Sequence, residues 1–459
     1  MNDDDVERKF DLVLGSVVVD TGHGKDRQRA RSGGGGPATA GIIAGSSVER
    51  LPSRMHQTIR LGKRSYVECA IFLPDGSGLV TGSSDGFVEV WGETRSSHST
   101  PPVISPGDDA DRSSSASASA ITMRGEDVDY ETLRTSDLPY QRNDDLMMHD
   151  SSVLAVDVSN DGTLLGTTSS NGTVCIWKLS DGKMLRKLER AHGGIVGLGG
   201  VDKGAAVLCI RFSPDGSKIL TGGHDSTCRE FGLLASRMLK EFRGHKSYVN
   251  CCGYVVLPPS IFGVSNGSIN NGSSHREGGS NRLLVVVTGS ADGSVIVWDG
   301  RTAEPIREIN PPVPTSANSI VHDKDSIVGS KSIHTVLHLH SPPNTMIVVP
   351  RSDRVYLMSY TGAVLRVFAR DDVQGCEFLA AALSPSNRWL FVAADDGKCV
   401  VFDVGTGKVE KIIRSFVCGS GGSDRPCEIT GIVCHPHRGL VGGYSNDKGQ
   451  KRGILALWK

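Results

Sequence analysis

Cysteine and histidine residues gather near the C-terminus, and thiolates and imidazoles are common zinc ligands in proteins. The cluster comprises Cys418, Cys427, Cys434, His435 and His437. A structural zinc site normally uses a close ligand pair such as Cys-x-x-Cys, which this stretch lacks. The segment "GIVCHPHRGL" instead has the pattern of a short strand that enters a turn. We therefore expect a strand and a turn here, and no metal site.

Side chains suited to catalysis also occur, but their surroundings favour turns. Ser84 and Asp85 lie in "TGSSDGF" without the Gly-x-Ser-x-Gly elbow that exposes a catalytic serine. The glycine run at 32–37 lacks the Lys-Ser/Thr pair of a phosphate-binding loop. The adjacent acids Asp395 and Asp396 are interpreted as solvated loop charges. The sequence therefore predicts a protein that is not an enzyme and binds no cofactor.

One short segment recurs along the chain. "LVTGSSDGFVEVW" at 79–91 has close copies at 165–177 and 286–298, and more divergent ones at 219–231 and 391–402. In each copy a turn residue precedes an aromatic residue by six positions, in the pairs Asp85/Trp91, Asn171/Trp177, Asp225/Phe231, Asp292/Trp298 and Asp396/Phe402. An earlier turn lies ten residues before the turn residue at Asp75, Asp161, Asp215, Pro343, Ser386 and His437. These intervals indicate seven copies of one unit.

The unit itself reads as strands joined by Pro, Asp and Gly turns. Alternation with a period of two between such turns is typical of antiparallel hairpins. Four strands in each unit of ~40–45 residues, with Gly-His and Trp-Asp-like signatures, are typical of a WD-repeat blade. We therefore predict an all-β fold, a seven-bladed WD-repeat β-propeller. We expect residues 57–61 to pair antiparallel with residues 454–458 and close the ring, because an unpaired edge would expose backbone groups.

The clearest copy contains four residue types that such blades join in a hydrogen-bond relay: His245, Thr288, Asp292 and Trp298. A buried polar group without a partner is costly, so the relay stabilises the blade only when it is complete. We interpret this aspartate and histidine as structural. Relays in most other blades are predicted to be incomplete, because Ser65 replaces a histidine and Phe231 cannot donate as tryptophan does.

Composition and charge exclude several classes of protein. The 50 basic and 51 acidic residues give a net charge of −1, so we expect any RNA contact to be weak or indirect. No apolar run approaches the ~18 residues of a membrane helix. The N-terminus "MNDDDVERKF" is unlike a secretory signal. Scattered cysteines predict reduced thiols rather than a disulfide framework.

Low-complexity segments divide the chain. Residues 1–54 are predicted to form a flexible tail and residues 55–459 the propeller. A disordered insertion is expected at about 94–133, where "SSSASASA" and "GDDADR" occur. Shorter insertions are predicted at 193–205, 260–281, 311–332, 417–426 and 447–453.

Four segments at the blade junctions resemble one family closely. They are "RLGKRSYVECAIFLPDG" (60–76), "DLPYQRNDDLMMHDSSVLAV" (137–156), "MLRKLERAHGG" (184–194) and "LKEFRGHKSYVN" (239–250). Together they resemble the spliceosomal WD-repeat family called suppressor of mec and unc (SMU), and the resemblance covers roughly residues 55–459 without the insertions.

The resemblance implies a nuclear scaffold of pre-mRNA splicing that acts within the spliceosome before catalytic activation. Members of the SMU family carry an N-terminal helical module that dimerises and binds the partner protein RED. Residues 1–54 show no amphipathic helical periodicity, so we expect this module to be absent here.

Blade geometry also predicts where partners bind. Residues just before each turn aspartate should approach one face of the ring, and two tyrosines in matched "SYV" segments should lie near the same rim. These rim candidates are Tyr66, Ser84, Ser170, His224, Tyr248, Ala291, Ser352 and Asp395. A core-packing role for the tyrosines is an open alternative. The alternative function is a cytosolic WD-repeat adaptor, either a ubiquitin-ligase substrate receptor or a signalling scaffold.

Overall fold

The computed structural model describes the chain in ten segments, at residues 49–62, 64–93, 140–142, 147–193, 204–262, 282–312, 331–370, 376–413, 429–447 and 452–459. Residues 1–48 of the predicted tail and the predicted insertion at about 94–133 lie outside these segments. The described residues form 29 strands and one 3-10 turn, Pro259–Phe262. No helix in these segments is long and apolar enough to cross a membrane.

The strands form seven antiparallel sheets, and each sheet is a blade numbered here from its innermost strand outwards. The chain enters through β1 (Met55–Arg60). Blade one contains β2 (Val67–Phe72), β3 (Gly78–Ser83), β4 (Phe87–Glu93), β5 (Tyr140–Arg142) and β6 (Met147–Met148). Blade two contains β7 (Val153–Val158), β8 (Leu164–Ser169), β9 (Val174–Lys178) and β10 (Lys183–Leu188). Blade three contains β11 (Val207–Phe212), β12 (Lys218–Gly223), β13 (Thr227–Gly232) and β14 (Arg237–Arg243).

The remaining blades follow the same order. Blade four contains β15 (Val249–Leu257), β16 (Leu283–Ser290), β17 (Val295–Asp299) and β18 (Pro305–Ile309). Blade five contains β19 (Ile333–Leu339), β20 (Thr345–Pro350), β21 (Arg354–Ser359) and β22 (Val364–Ala369). Blade six contains β23 (Phe378–Leu383), β24 (Trp389–Ala394), β25 (Cys399–Asp403) and β26 (Val409–Ile413). Blade seven contains β27 (Ile429–Cys434), β28 (Val441–Asp447), β29 (Arg452–Trp458) and, as its outer strand, β1.

Ring closure follows the prediction from the sequence. β1 pairs antiparallel with β29, and Gln57, Thr58, Ile59 and Arg60 lie opposite Leu457, Ala456, Leu455 and Ile454. The innermost strands contact one another in chain order, and β27 contacts β2 to complete the circle. The predicted seven-bladed β-propeller, closed by an N-terminal strand, is therefore confirmed.

The core lies between the blades rather than inside any one of them. Between blades five and six, for example, the rings of Phe368 and Phe402 meet edge to face with centroids 5.6 Å apart, and both are fully buried. Burying a phenylalanine side chain contributes roughly 1.5–3 kcal/mol. Blades five and six thus share one buried apolar cluster that contains both rings.

The chain just before β1 already lies against the ring. The amides of Ser53 and Arg54 donate to the carbonyl of Lys459 at 2.8 and 3.0 Å. The Lys411 ammonium donates to the Pro52 carbonyl at 2.7 Å, and the Glu49 carboxylate accepts from the Ser384 hydroxyl at 3.1 Å. Propeller contacts therefore extend at least to Glu49, six residues before the boundary predicted at residue 55.

Candidate protein-interaction surface

Blade four brings the predicted relay residues together. His245 Nδ1 lies 3.0 Å from Asp292 Oδ2, and His245 Nε2 lies 2.7 Å from Thr288 Oγ1. Trp298 Nε1 donates to the same threonine oxygen at 2.8 Å. Trp298 is fully buried, so without Thr288 its N–H would lack a partner in the core. The four side chains form a continuous chain of hydrogen bonds from the turn to the outer half of the blade.

The environment of Asp292 favours its ionised form. Burial acts to raise the pKa of Asp292, but hydrogen bonds from His245 and Ser294 and from the Lys246 amide outweigh it and hold the pKa well below its usual range. The Lys246 amide donates to Oδ2 at 2.8 Å, and the Ser294 amide donates to Oδ1 at 2.9 Å. The carboxylate therefore links the residues just before β15 to the turn before β17. This is a structural role.

Blade three contains a similar relay that the sequence analysis missed. His192 Nδ1 lies 2.8 Å from Asp225 Oδ1, and His192 Nε2 lies 2.9 Å from Thr221 Oγ1. Phe231 stands at the tryptophan position, as predicted, so this relay ends at the threonine. The signal was present in "ERAHGG", where Ala-His replaces the Gly-His pair.

Blade two has a relay without the turn carboxylate. His149 Nε2 lies 2.6 Å from Thr167 Oγ1, which also accepts from Trp177 Nε1 at 2.8 Å. Asn171 occupies the turn position, so no acid faces this histidine from the turn. Burial lowers the pKa of His149 to about 4, which keeps the imidazole neutral at physiological pH.

Blade six replaces the histidine by an arginine. Arg370 Nη1 donates to Asp396 Oδ2 at 2.9 Å, and the Lys398 ammonium approaches the same oxygen at 2.8 Å. Asp396 is one of the adjacent acids that the sequence analysis interpreted as solvated, and here it is part of a paired network. Its neighbour Asp395 is exposed and accepts from the Cys376 thiol at 2.9 Å.

The predicted rim candidates share one backbone contact. In five of the blades that carry these candidates, the amide that follows the second strand donates to the carbonyl that precedes the first strand. These bonds run from Ser84 to Tyr66 (2.9 Å), Ser170 to Ser152 (3.0 Å), His224 to Ala206 (2.8 Å), Ala291 to Tyr248 (2.9 Å) and Asp395 to Glu377 (3.0 Å). Because the same contact recurs around the ring, these residues lie on one face, called the rim face here.

Ser352 is a correction to this set. It is only 1% exposed, and its hydroxyl donates to the Arg354 carbonyl at 2.9 Å. The equivalent residue in blade five is Arg351, whose amide donates to the Ser332 carbonyl at 2.8 Å. Asp353 lies three residues after the end of β20, whereas Asp85 lies two residues after the end of β3. The residue just before Asp353 is therefore not the rim-face residue of blade five. Arg351 is exposed and forms an ion pair with Glu377 at 2.8 Å.

The two tyrosines differ in exposure. Tyr248 is 40% exposed, and its ring stacks on that of His224 with centroids 4.7 Å apart and an interplanar angle of 9°. This pair joins blades three and four on the rim face. Tyr66 is only partly exposed, and its amide donates to Ser84 Oγ at 3.0 Å. Of the two, Tyr248 has the exposed flat surface that suits an interface anchor.

A second set of rim-face residues was not predicted. Every innermost strand has a register shift one residue after its start, which marks a β-bulge. The bulged residues are Glu68, Leu154, Leu208, Asn250, His334, Leu379 and Thr430. All seven are at least partly exposed, although they lie on the strands nearest the axis. They therefore surround the mouth of the central channel.

The histidines of the candidate zinc cluster have structural partners. His437 Nε2 donates to the Pro74 carbonyl at 2.8 Å, and His435 Nε2 donates to the Gly76 carbonyl at 3.1 Å. Gly76 has a φ of +72°, and a Cβ there would lie 2.5 Å from the His435 ring, so glycine is required. Cys418 and Cys427 lie outside the described residues, among which no metal-binding group of ligands occurs.

A cavity of about 340 Å3 opens between the inner strands of blades two to five. Its charged groups are paired, since Arg211 Nη1 donates to Asp157 Oδ1 at 2.7 Å. His338 Nδ1 lies 2.8 Å from the Tyr360 hydroxyl in the same wall. These pairs hold the polar side chains of the cavity wall in hydrogen bonds with one another.

Comparisons with known proteins agree with this architecture. The family model of the WD domain, G-beta repeat, matches residues 56–92, 143–178, 200–231, 236–299 and 371–403. The chain is 26% identical over 90% of its length to the WD40 repeat-containing protein smu1 of Dictyostelium discoideum. It is 24% identical over 57% of its length to the nuclear distribution protein nudF of Aspergillus niger. It is also 24% identical over 58% of its length to the guanine nucleotide-binding protein subunit beta-2 of Nicotiana tabacum, 71% of which it covers.

The chain covers only part of the length of smu1 and of nudF. The chain spans 59% of the length of smu1 and 56% of the length of nudF. The match to smu1 confirms the resemblance found at the blade junctions. With six blades of four strands, one of five, and five segments that match the WD repeat, the chain folds as a seven-bladed β-propeller that contains WD40 repeats.

Proposed function

We propose that the chain is a non-catalytic protein-interaction scaffold in pre-mRNA splicing, located in the nucleus and acting within the spliceosome before catalytic activation. The observation that carries this proposal is the similarity to smu1 over 90% of the chain, together with the junction segments that resemble the SMU family. A RED-type partner enters the proposal through that resemblance alone.

The geometry supports a scaffold rather than an enzyme. The acids and histidines of the relays are held in hydrogen bonds between turn and strand, where they stabilise blades. The exposed features of the rim face include the stacked pair His224 and Tyr248. Rigid loops at one end of a ring suit protein recognition, and we expect RNA contact to be indirect or weak.

A second candidate function is a cytosolic adaptor, either a signalling scaffold or a ubiquitin-ligase substrate receptor. The similarity to nudF and to a G-protein beta subunit over more than half of the chain favours it. Fold alone does not separate the two candidates, because propellers support unrelated roles.

Affinity purification of the tagged full chain from nuclear and cytosolic extracts separates them. The splicing proposal predicts that spliceosomal proteins are recovered from nuclear extract without ligase subunits. Recovery of signalling or cullin-type partners alone would contradict the splicing proposal. Tyr248→Ala should reduce recovery, whereas the control Met238→Ala, a 50% exposed site on the outer strand of blade three, should not.

A further inference from the structure

Glu68 is an acid at the mouth of the central channel without a partner among the described residues. It is the bulged residue of β2 and is partly exposed between the buried Val67 and Cys69. Its carboxylate makes no hydrogen bond or ion pair with the residues that the structure describes. Burial raises the pKa of Glu68, so the ionised form is poorly solvated where it stands. A carboxylate in this state gains most from a cation brought by a ligand.

Tyr444 lies on β28, a strand of blade seven that contacts β2. A Cβ on Gly431 of β27 would be 2.0 Å from the Tyr444 ring, so the ring occupies the space that a side chain on the innermost strand would take. Burial raises the pKa of Tyr444, and the neighbouring Cys69 and Glu68 raise it further. Strand β28, which carries Tyr444, contacts β2, so Tyr444 and Glu68 lie on the two sides of the junction of blades seven and one. An aromatic face next to an acid is a favourable environment for a cation.

A hydrogen bond to a side chain of blade seven also joins the two sides of this junction. Asn446 Oδ1 accepts from the Val67 amide at 3.1 Å, which holds blade seven against the entry of β2. Leu154 is the next bulged residue around the ring, and Thr430 is the exposed bulged residue of blade seven. Glu68, Leu154, Thr430 and Tyr444 together are called the Glu68 site.

Two other acids on the rim face are paired with cations. Glu377 pairs with Arg351 at 2.8 Å and with Lys331 at 3.3 Å. Asp225 pairs with Arg229 at 3.0 Å and with His192. Of these three acids, Glu68 is the one whose charge no described cation balances. Asp395 also has no cation partner among the described residues, but it is exposed to solvent and accepts from the Cys376 thiol. Charge complementarity therefore points to a basic group of the partner.

We propose that the Glu68 site receives an arginine side chain from an extended segment of a partner protein. A guanidinium is planar, so it can pair with the carboxylate while it stacks on the Tyr444 ring. Its aliphatic stem would lie along Leu154, as arginine stems do on apolar surface. This inference rests on the proposed scaffold function for the claim that the ligand is a partner protein. Binding of an arginine peptide by the purified chain can be tested without that claim.

Binding of short peptides to the purified full chain tests the proposal. The probe is a fluorescein-labelled peptide with one arginine flanked by glycine and serine, followed by fluorescence anisotropy. We expect Glu68→Gln to weaken binding by about tenfold or more, as for loss of a charge-assisted pair. The matched control Glu410→Gln removes the same charge from an exposed position on β26 and should change binding less than about twofold.

Changes in the peptide and at Tyr444 complete the test. Replacing the arginine by citrulline, which keeps its shape without the charge, should abolish binding, and lysine should bind more weakly. Tyr444→Phe keeps the ring and should retain binding, whereas Tyr444→Leu should weaken it. The inference is overturned if the peptide does not bind at millimolar concentration, or if Glu68→Gln and citrulline leave binding unchanged. Association with spliceosomal proteins could persist after either result, so the two proposals fail separately.

Discussion

Asp292 illustrates how a charged side chain can be structural. Its two oxygens accept from His245, from the amides of Lys246 and Ser294 and from the Ser294 hydroxyl. Removing such an acceptor leaves buried donors without partners, which costs more than the net value of the bonds themselves.

Asp292→Ala is therefore expected to destabilise the protein by about 2–4 kcal/mol, because it leaves His245 and nearby amides unsatisfied. The matched control is Asp353→Ala, at an exposed turn position of blade five. Thermal unfolding followed by circular dichroism measures the difference in melting temperature. Equal melting temperatures for the two variants would contradict the structural role.

His149 gives the fold a pH dependence of known sign. The folded state holds the pKa of His149 at about 4, below the ~6.5 of an unfolded histidine. Between these values the unfolded chain binds the extra proton, so this contribution to stability is present above pH ~6.5 and falls as the pH drops towards 4. The loss is on the order of 3 kcal/mol.

Chemical denaturation of the wild type and of His149→Gln at pH 7.5 and 5.0 measures this contribution. The wild type should lose more stability than the variant on acidification, because glutamine does not titrate. A variant that loses as much stability as the wild type would show that other groups cause the acid sensitivity.

At the scale of elements, the outer strand of blade seven comes from the other end of the domain. Five residue pairs join β1 to β29, and Ile59 and Leu61 are buried at this junction. Each backbone hydrogen bond contributes about 1 kcal/mol net, and a typical domain is stable by only 5–15 kcal/mol.

Deletion of residues 1–60 should therefore cause a steep loss of melting temperature or aggregation. Deletion of residues 1–48 removes none of the described contacts and is the control, for which we expect a change of a few degrees at most. Similar melting temperatures for the two truncations would rule out closure by β1.

The same scale shows what the sequence could predict. Alternating strands and Asp-Gly turns are local patterns, so the six-residue interval from Asp292 to Trp298 correctly predicted a turn followed by a strand. The bulges could not be predicted from the sequence, because their position depends on how the inner strands meet across blades. The bulged residues also share no residue type, since they include Glu68 and Leu154. Ser352 was misplaced because Asp353 lies one residue later after its strand than Asp85 does. The ten-residue interval from Pro343 to Asp353 is the same as that from Asp75 to Asp85, so it does not reveal this shift.

At the scale of the whole molecule, the blades make a ring whose rim face combines two kinds of surface. Blades three and four present the stacked His224 and Tyr248, and the junction of blades seven and one presents Glu68, which has no partner in the described part of the chain. A ring with separate binding features can hold more than one partner at once, which is what a scaffold requires.

The most direct test of the splicing role is depletion of this protein from nuclear extract of its source organism, followed by in vitro splicing of a labelled pre-mRNA. If the protein acts before catalytic activation, we expect unspliced pre-mRNA to accumulate without first-step products, because spliceosome assembly stops before that stage. Adding back the purified full chain should restore splicing, whereas the Tyr248→Ala variant should restore it less well. Unchanged splicing after complete depletion would contradict the central claim.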